Sequence, residues 1–157
     1  MDIILNFDGA CEPVNPGGVA TFGWIIKRNG ATLKCGAGEV ARGPGATNNV
    51  AEYAALIAGL QALAGLGLAG EPVEVRGDSM LVIRQMSGEW RIGSERLLPL
   101  YRQAQDLARQ FAEVMYRWVP REENAEADAL SIEAYNAAKG TPLTVRNQRR
   151  AKLAQTI

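Results

Sequence analysis

The dipeptide Asn29-Gly30 is the feature that most restricts what this chain can become. It lies between two strand-like runs, Val19 to Lys27 and Ala31 to Val40. Asn-Gly readily supplies the two positive φ angles that a two-residue hairpin turn needs. An antiparallel hairpin is therefore predicted there. Upstream, Ile3, Leu5 and Phe7 alternate with Ile4, Asn6 and Asp8, the period of two that marks a strand. Asp8 is expected at the end of that strand, with Gly9 at the turn that follows, and EPVNPGG reads as a loop.

Past the turn-rich segment ARGPGA the pattern changes. Asn48 to about Leu66 is rich in Ala and Leu, with Thr and Asn at its start as candidate caps, and predicts a long helix. Val73 to Val75 predicts a short strand ending on Asp78, after which Ser79 to Gln85 opens a new helix. Leu97 to Phe111 predicts an amphipathic helix, Met115 to Val119 a strand, and Asn124 caps an Ala-rich helix running to about Ala138. Three sequential strands followed by strand–helix alternation imply an α/β fold, a mixed five-stranded sheet with helices packed on it. Residues 1–139 are expected to form one domain, and residues 140–157 a basic, flexible tail.

Composition narrows the chemistry. Two cysteines without CxxC spacing and no histidine exclude His-based triads and make zinc sites improbable. Acid–base or metal chemistry must then fall to carboxylates. The first residues carry acids where a signal peptide would carry a basic segment, and no apolar run reaches membrane-spanning length. A soluble, cytoplasmic protein that does not enter membranes is expected. Net charge is zero, but the tail holds Arg146, Arg149, Arg150 and Lys152 and no acid, leaving residues 1–139 at −4. That tail is either a solubilising end or a contact for nucleic acid.

Two acids fall on apolar helix stripes. Residues three and four apart share a helix face, so Glu52 is grouped with Leu56, Gly59, Leu60 and Leu63, and Asp128 with Ala125, Ile132 and Tyr135. Glu126 and Glu133 point elsewhere. Buried carboxylates need a partner, and neither stripe offers a Lys or Arg one turn away. A cation is the natural partner; the alternative is stabilisation by the helix N-terminus. With Asp8 and Asp78 the acids are distributed as strand end, helix start, strand end and helix start, a set suited to hard divalent cations.

These segments resemble type 1 ribonuclease H over nearly all of residues 1–139. FDGACEPVNPGG is similar to the first-strand motif of that family, TNNVAE to the start of its first long helix, GDS to its third acidic site and NAEADAL to its last. The resemblance implies a metal-dependent endonuclease that hydrolyses the RNA strand of RNA/DNA hybrids, leaving 5′-phosphate and 3′-hydroxyl ends. It assigns catalysis and the binding of two Mg²⁺ ions, with Mn²⁺ as a substitute, to Asp8, Glu52, Asp78 and Asp128. No small-molecule cofactor is implied, and the chain is expected to act as a monomer. Substrate contacts carried over are Gly9, Asn15, Asn48 and Asn49, the asparagines reading RNA 2′-hydroxyls, and Thr47 and Trp90 on the DNA strand. A plain turn role for the asparagines, a helix cap for Thr47 and a core position for Trp90 remain open alternatives. Family members commonly carry a flexible His loop before the last acid; WVPREEN is shorter and has no His, so Arg121, Glu122 or Glu123 stand as replacements. The Lys-rich protrusion of some bacterial members is missing, with only Arg91 and Arg96 in its place. Activity on double-stranded RNA is the alternative substrate reading, and a non-catalytic nucleic-acid-binding module the alternative class.

Overall fold

The computed structural model describes residues 1–139; the basic tail, residues 140–157, lies outside the described residues. The strands are β1 (Ile3–Glu12), β2 (Gly17–Arg28), β3 (Ala31–Gly43), β4 (Pro72–Gly77) and β5 (Glu113–Trp118). The helices are α1 (Asn48–Gly65), α2 (Met80–Met86), α3 (Leu98–Ala108) and α4 (Ala125–Lys139). The strands form one sheet in the order β3-β2-β1-β4-β5. β1, β2 and β3 pair antiparallel, while β1–β4 and β4–β5 are parallel. This is the mixed five-stranded sheet expected from the sequence. Asn29 and Gly30 both have positive φ, at 51° and 81°, which suits a hairpin turn to the twist of its strands. Among the described residues no helix is long and apolar enough to cross a membrane.

β1 corrects one expectation. It does not end at Asp8, and Gly9 makes no turn; the strand runs on to Glu12, paired residue for residue with β2. Gly9 is instead a packing requirement. A Cβ there would stand 2.3 Å from the Ala51 carbonyl carbon and 2.5 Å from the Glu52 amide, so only glycine lets α1 lie this close on β1. Leu5, on the same face, packs on Gly59 one further stretch along α1. The other face belongs to α4. Gly23, the partner of Asp8 across the β1–β2 ladder, would drive a Cβ into Ala127 and Leu130.

The core lies between the sheet and α1, α2 and α3, with Leu5, Phe7, Ile26, Tyr53, Leu56, Leu60, Leu63, Val73 and Val75 fully buried. The stripe carrying Glu52 is therefore buried as read. On α4, Ile132 and Tyr135 are buried and Glu126 and Glu133 face water, but Ala125, grouped with them, is exposed. It stands at the first residue of the helix, before the stripe reaches the sheet.

Candidate metal centre and adjoining groove

The site arises where the sheet leaves a notch. β1, β4 and β5 run parallel, and the β1–β4 ladder stops at the pair Phe7–Gly77 while β1 continues. Beyond Phe7 one edge of β1 has no neighbouring strand. Asp8 stands at this open edge, Asp78 at the end of β4 beside it, and Glu52 reaches it from α1 because Gly9 permits the close approach. Ligand sites in α/β sheets favour such places, outside the carboxyl ends of parallel strands.

One carboxylate oxygen from each of Asp8, Glu52 and Asp78 lies within 4.8 Å of the others. Asp8 and Glu52 are fully buried and the Asp78 side chain is 5% exposed. Asp128, also buried, does not complete that trio but stands close enough to act on it. Burial, followed by the charge of Asp78, pushes the Glu52 carboxyl well above its usual range; the charge of Asp128 adds to this, and the Gly9 amide and Arg121 oppose it. Burial also pushes Asp78 up to about 6, Asp128 again adding, while Arg121 and a hydrogen bond from Asn124 hold it down. Packing several carboxylates out of water raises their proton affinity by desolvation and mutual repulsion, and a divalent cation relieves both. The donor set is all oxygen, as Mg²⁺ prefers.

Asn124 shows how the last acid is delivered. It precedes α4, as a cap residue should, and its carbonyl accepts from the Asp128 amide at 3.1 Å. Its side chain reaches back to β1, where the amide nitrogen donates to the Phe7 carbonyl at 2.9 Å and the oxygen accepts from Asn6 at 3.0 Å. The start of α4 is thereby tied to the central strand one residue before Asp8.

Three features escaped the sequence reading. Glu12 is buried beneath α4 and pushed up to about 7, by burial and then by the charge of Asp128; its Oε1 has no partner among the described residues. Within EPVNPGG it reads as loop, and the signal that could have found it is the continuing alternation Asp8, Ala10, Glu12. Trp118 is half-exposed, and its indole nitrogen donates to the Asp78 carbonyl at 3.2 Å. Arg121 is the one candidate replacement for the missing histidine that the fold brings to the acids, with its Nε 3.9 Å from Asp78 Oδ2 and its side chain mostly buried. Glu122 and Glu123 are exposed.

The residues assigned to substrate fall in two groups. Asn15 and the start of α1 are locked together, since Asn15 Oδ1 accepts from the Asn48 amide at 2.9 Å. Asn48 is buried, and its Oδ1 has no partner among the described residues. Gly9 lies under α1. Thr47 caps α1, its hydroxyl accepting from the Val50 amide at 3.1 Å. It also lines, with Asn49, Trp90, Arg91 and Arg96, a groove of about 1030 Å³. Trp90 is 47% exposed, which removes the core alternative for that indole.

Known proteins are similar to this chain in sequence and fold. The sequence profile of the reverse transcriptase-like family matches residues 6–134. The N-terminal RNase H domain of Rv2228c from Mycobacterium tuberculosis superposes with a TM-score of 0.80 at 41% identity, over 88% of this chain and 96% of that one. RNase H1 of the halophilic archaeon Halobacterium salinarum does so at 0.78 and 38%, over 86% and 98%. LC11-RNase H1, isolated from compost and solved in complex with an RNA/DNA hybrid, gives 0.79 and 35%, over 87% and 98%. The chain spans only 36% of the full length of the bifunctional protein Rv2228c, to which it is 42% identical over 138 residues. Fold and carboxylate notch together define a ribonuclease H-like domain. The chain matches the reverse transcriptase-like family model and belongs with the type 1 ribonucleases H.

Proposed function

We propose that this domain is an endoribonuclease that hydrolyses the RNA strand of RNA/DNA hybrids, working as a monomer with two Mg²⁺ ions held by Asp8, Glu52, Asp78 and Asp128. The observation that carries the reading is the buried trio of carboxylates within 4.8 Å, in a chain whose relatives of similar fold include one bound to such a hybrid. When bound, the cations supply an activated water and charge for the leaving 3′-oxygen, which yields a 5′-phosphate. The protein's own groups do the rest. The Gly9 amide and Arg121 oppose the rise in proton affinity of Glu52, and Arg121 and Asn124 that of Asp78, which favours the ionised forms that a cation needs. Beside Asp78, the Arg121 guanidinium serves as electrostatic support for the phosphate, in place of a proton-carrying histidine.

Selection of the RNA strand rests on Asn48. A buried acceptor without a partner is costly, and a 2′-hydroxyl is a donor that only the RNA strand brings. Asn15 fixes the backbone at that point and Asn49 faces the groove. Labelled RNA/DNA hybrid, duplex RNA and duplex DNA, each with Mg²⁺ or EDTA, form the test. Cleavage of the hybrid only, dependent on Mg²⁺ and leaving 5′-phosphates, is expected. Equal cutting of duplex DNA, or full activity in EDTA, would overturn the reading.

A further inference from the structure

At the end of α2 an exposed aromatic sits on a backbone that is tied down on both sides. Trp90 presents its indole to the groove, yet its amide donates to the Arg84 carbonyl at 3.1 Å. The carbonyl of the next residue, Arg91, accepts from Gln85 Nε2 at 3.3 Å. Arg84 and Gln85 are consecutive residues of the last turn of α2. Arg84 grips the approach as well, taking the Glu89 amide at 2.9 Å on its carbonyl and the Glu89 carboxylate at 2.7 Å on its guanidinium.

Gln85 is itself 4% exposed, and a buried amide is costly unless both its ends are bonded. Its oxygen accepts from the Tyr53 hydroxyl at 2.7 Å. Tyr53 is fully buried on α1, next in sequence to Glu52. A hydrogen-bonded line thus runs from the helix that carries an acid, through Tyr53 and Gln85, to the segment that carries the indole.

We propose that Gln85 is a positioning residue for substrate: it holds Trp90 in place before the nucleic acid arrives, so that contact with the strand costs little ordering. The proposal rests on the hybrid-cleaving reading. An aromatic side chain packed against the sugars of a paired strand adds apolar contact area to binding, and a platform fixed in advance keeps more of it. An apolar residue at position 85 would need no partners of its own; the amide is explained by the two bonds it makes.

Steady-state cleavage of hybrid by the full chain in Mg²⁺ tests this. Trp90→Ala should raise KM about tenfold, as for loss of one aromatic contact of ordinary size. Gln85→Leu should raise KM about threefold to fivefold, with kcat within about twofold, and should add almost nothing once Trp90 is already Ala, as expected for residues acting as one unit. Tyr53→Phe should move KM in the same direction and carries the cycle should Gln85→Leu fail to fold. An equal KM factor with and without Trp90, or a fall in kcat alone, overturns the proposal. Time-resolved fluorescence anisotropy of Trp90, in a Trp24→Phe, Trp118→Phe background, needs no substrate. Gln85→Leu should add nanosecond motion to the indole, and unchanged anisotropy overturns the proposal. Absence of hybrid cleavage by the unmutated chain would instead fail the functional reading, leaving the anisotropy result to judge Gln85.

Discussion

Replacing Asp8 by Asn separates catalysis from stability at one atom. Its carboxylate lies within 4.8 Å of those of Glu52 and Asp78, and two full charges at that separation repel by about 3.5 kcal/mol at an effective dielectric of about 20. The whole of that is not recovered. Asp78, at about 6, is mainly ionised at about pH 7.5, and the nearby Arg121 charge offsets part of the repulsion, so a net relief of about 2 kcal/mol follows. For a domain of this size that raises the melting temperature by about 4–8 °C. Magnesium separates the two proteins. At a hundredfold excess over its Kd it stabilises the unmutated chain by about 2.7 kcal/mol, whereas Asp8→Asn has lost a ligand and should shift little. The assay is thermal melting of both proteins in EDTA and in millimolar Mg²⁺, beside hybrid cleavage. A lower melting temperature for Asp8→Asn in EDTA, with equal shifts by Mg²⁺, would refute the reasoning and make Asp8 a structural residue of β1.

Glu52→Gln at saturating Mg²⁺ should fold, bind hybrid and cut it at least about 10²-fold more slowly, measured by single-turnover cleavage. In EDTA the melting temperature should fall as pH rises. Asp78 moves from an ordinary 3.8 to about 6 on folding, so the stability it contributes, up to about 3 kcal/mol, is complete below pH 3.8 and lost by pH 7; a flat melting curve across that window contradicts the shift. Gly9→Ala should destabilise the domain by roughly 3 kcal/mol, at the upper end of overpacking costs, because the clashing atoms are backbone; urea denaturation measures it. Removing residues 144–157 should flatten the salt dependence of hybrid binding by up to about 3.6 log–log units, at about 0.9 per phosphate contact, and an unchanged slope would make the tail a bystander.

Periodicity carried much of this fold because most elements bury one face. The alternation over the first part of β1 and the stripe of α1 each name a buried face, so the start of the strand and the helix emerge where expected, although β1 runs on past Asp8 to Glu12. What stayed hidden was contact between distant backbones. Gly9 was read as a turn because local sequence cannot show that α1 lies on top of it. The acids stood out because a carboxylate on an apolar stripe is anomalous. Glu12 did not, since Pro13 and Pro16 beside it signal a loop and the strand passes through only with the support of β2. Likewise Asn124 looks like a cap, and its grip on Phe7 requires knowing that β1 lies beneath. The role of Trp90 could not be chosen from sequence, as an indole fits a core or a groove equally well; its exposure decides.

The sheet order also sets a timetable for synthesis. β1 finds β2 and β3 as soon as they are made, a local meander of low closure cost. Its other edge waits for residues 72–77, and α4, which carries the last acid, comes later still. Until then the carboxylates at positions 8 and 52 have neither the flanking strand nor the helix that encloses them. A nascent chain therefore holds no finished carboxylate cluster, and the order of strands and helices along the chain delays its assembly until the domain is whole.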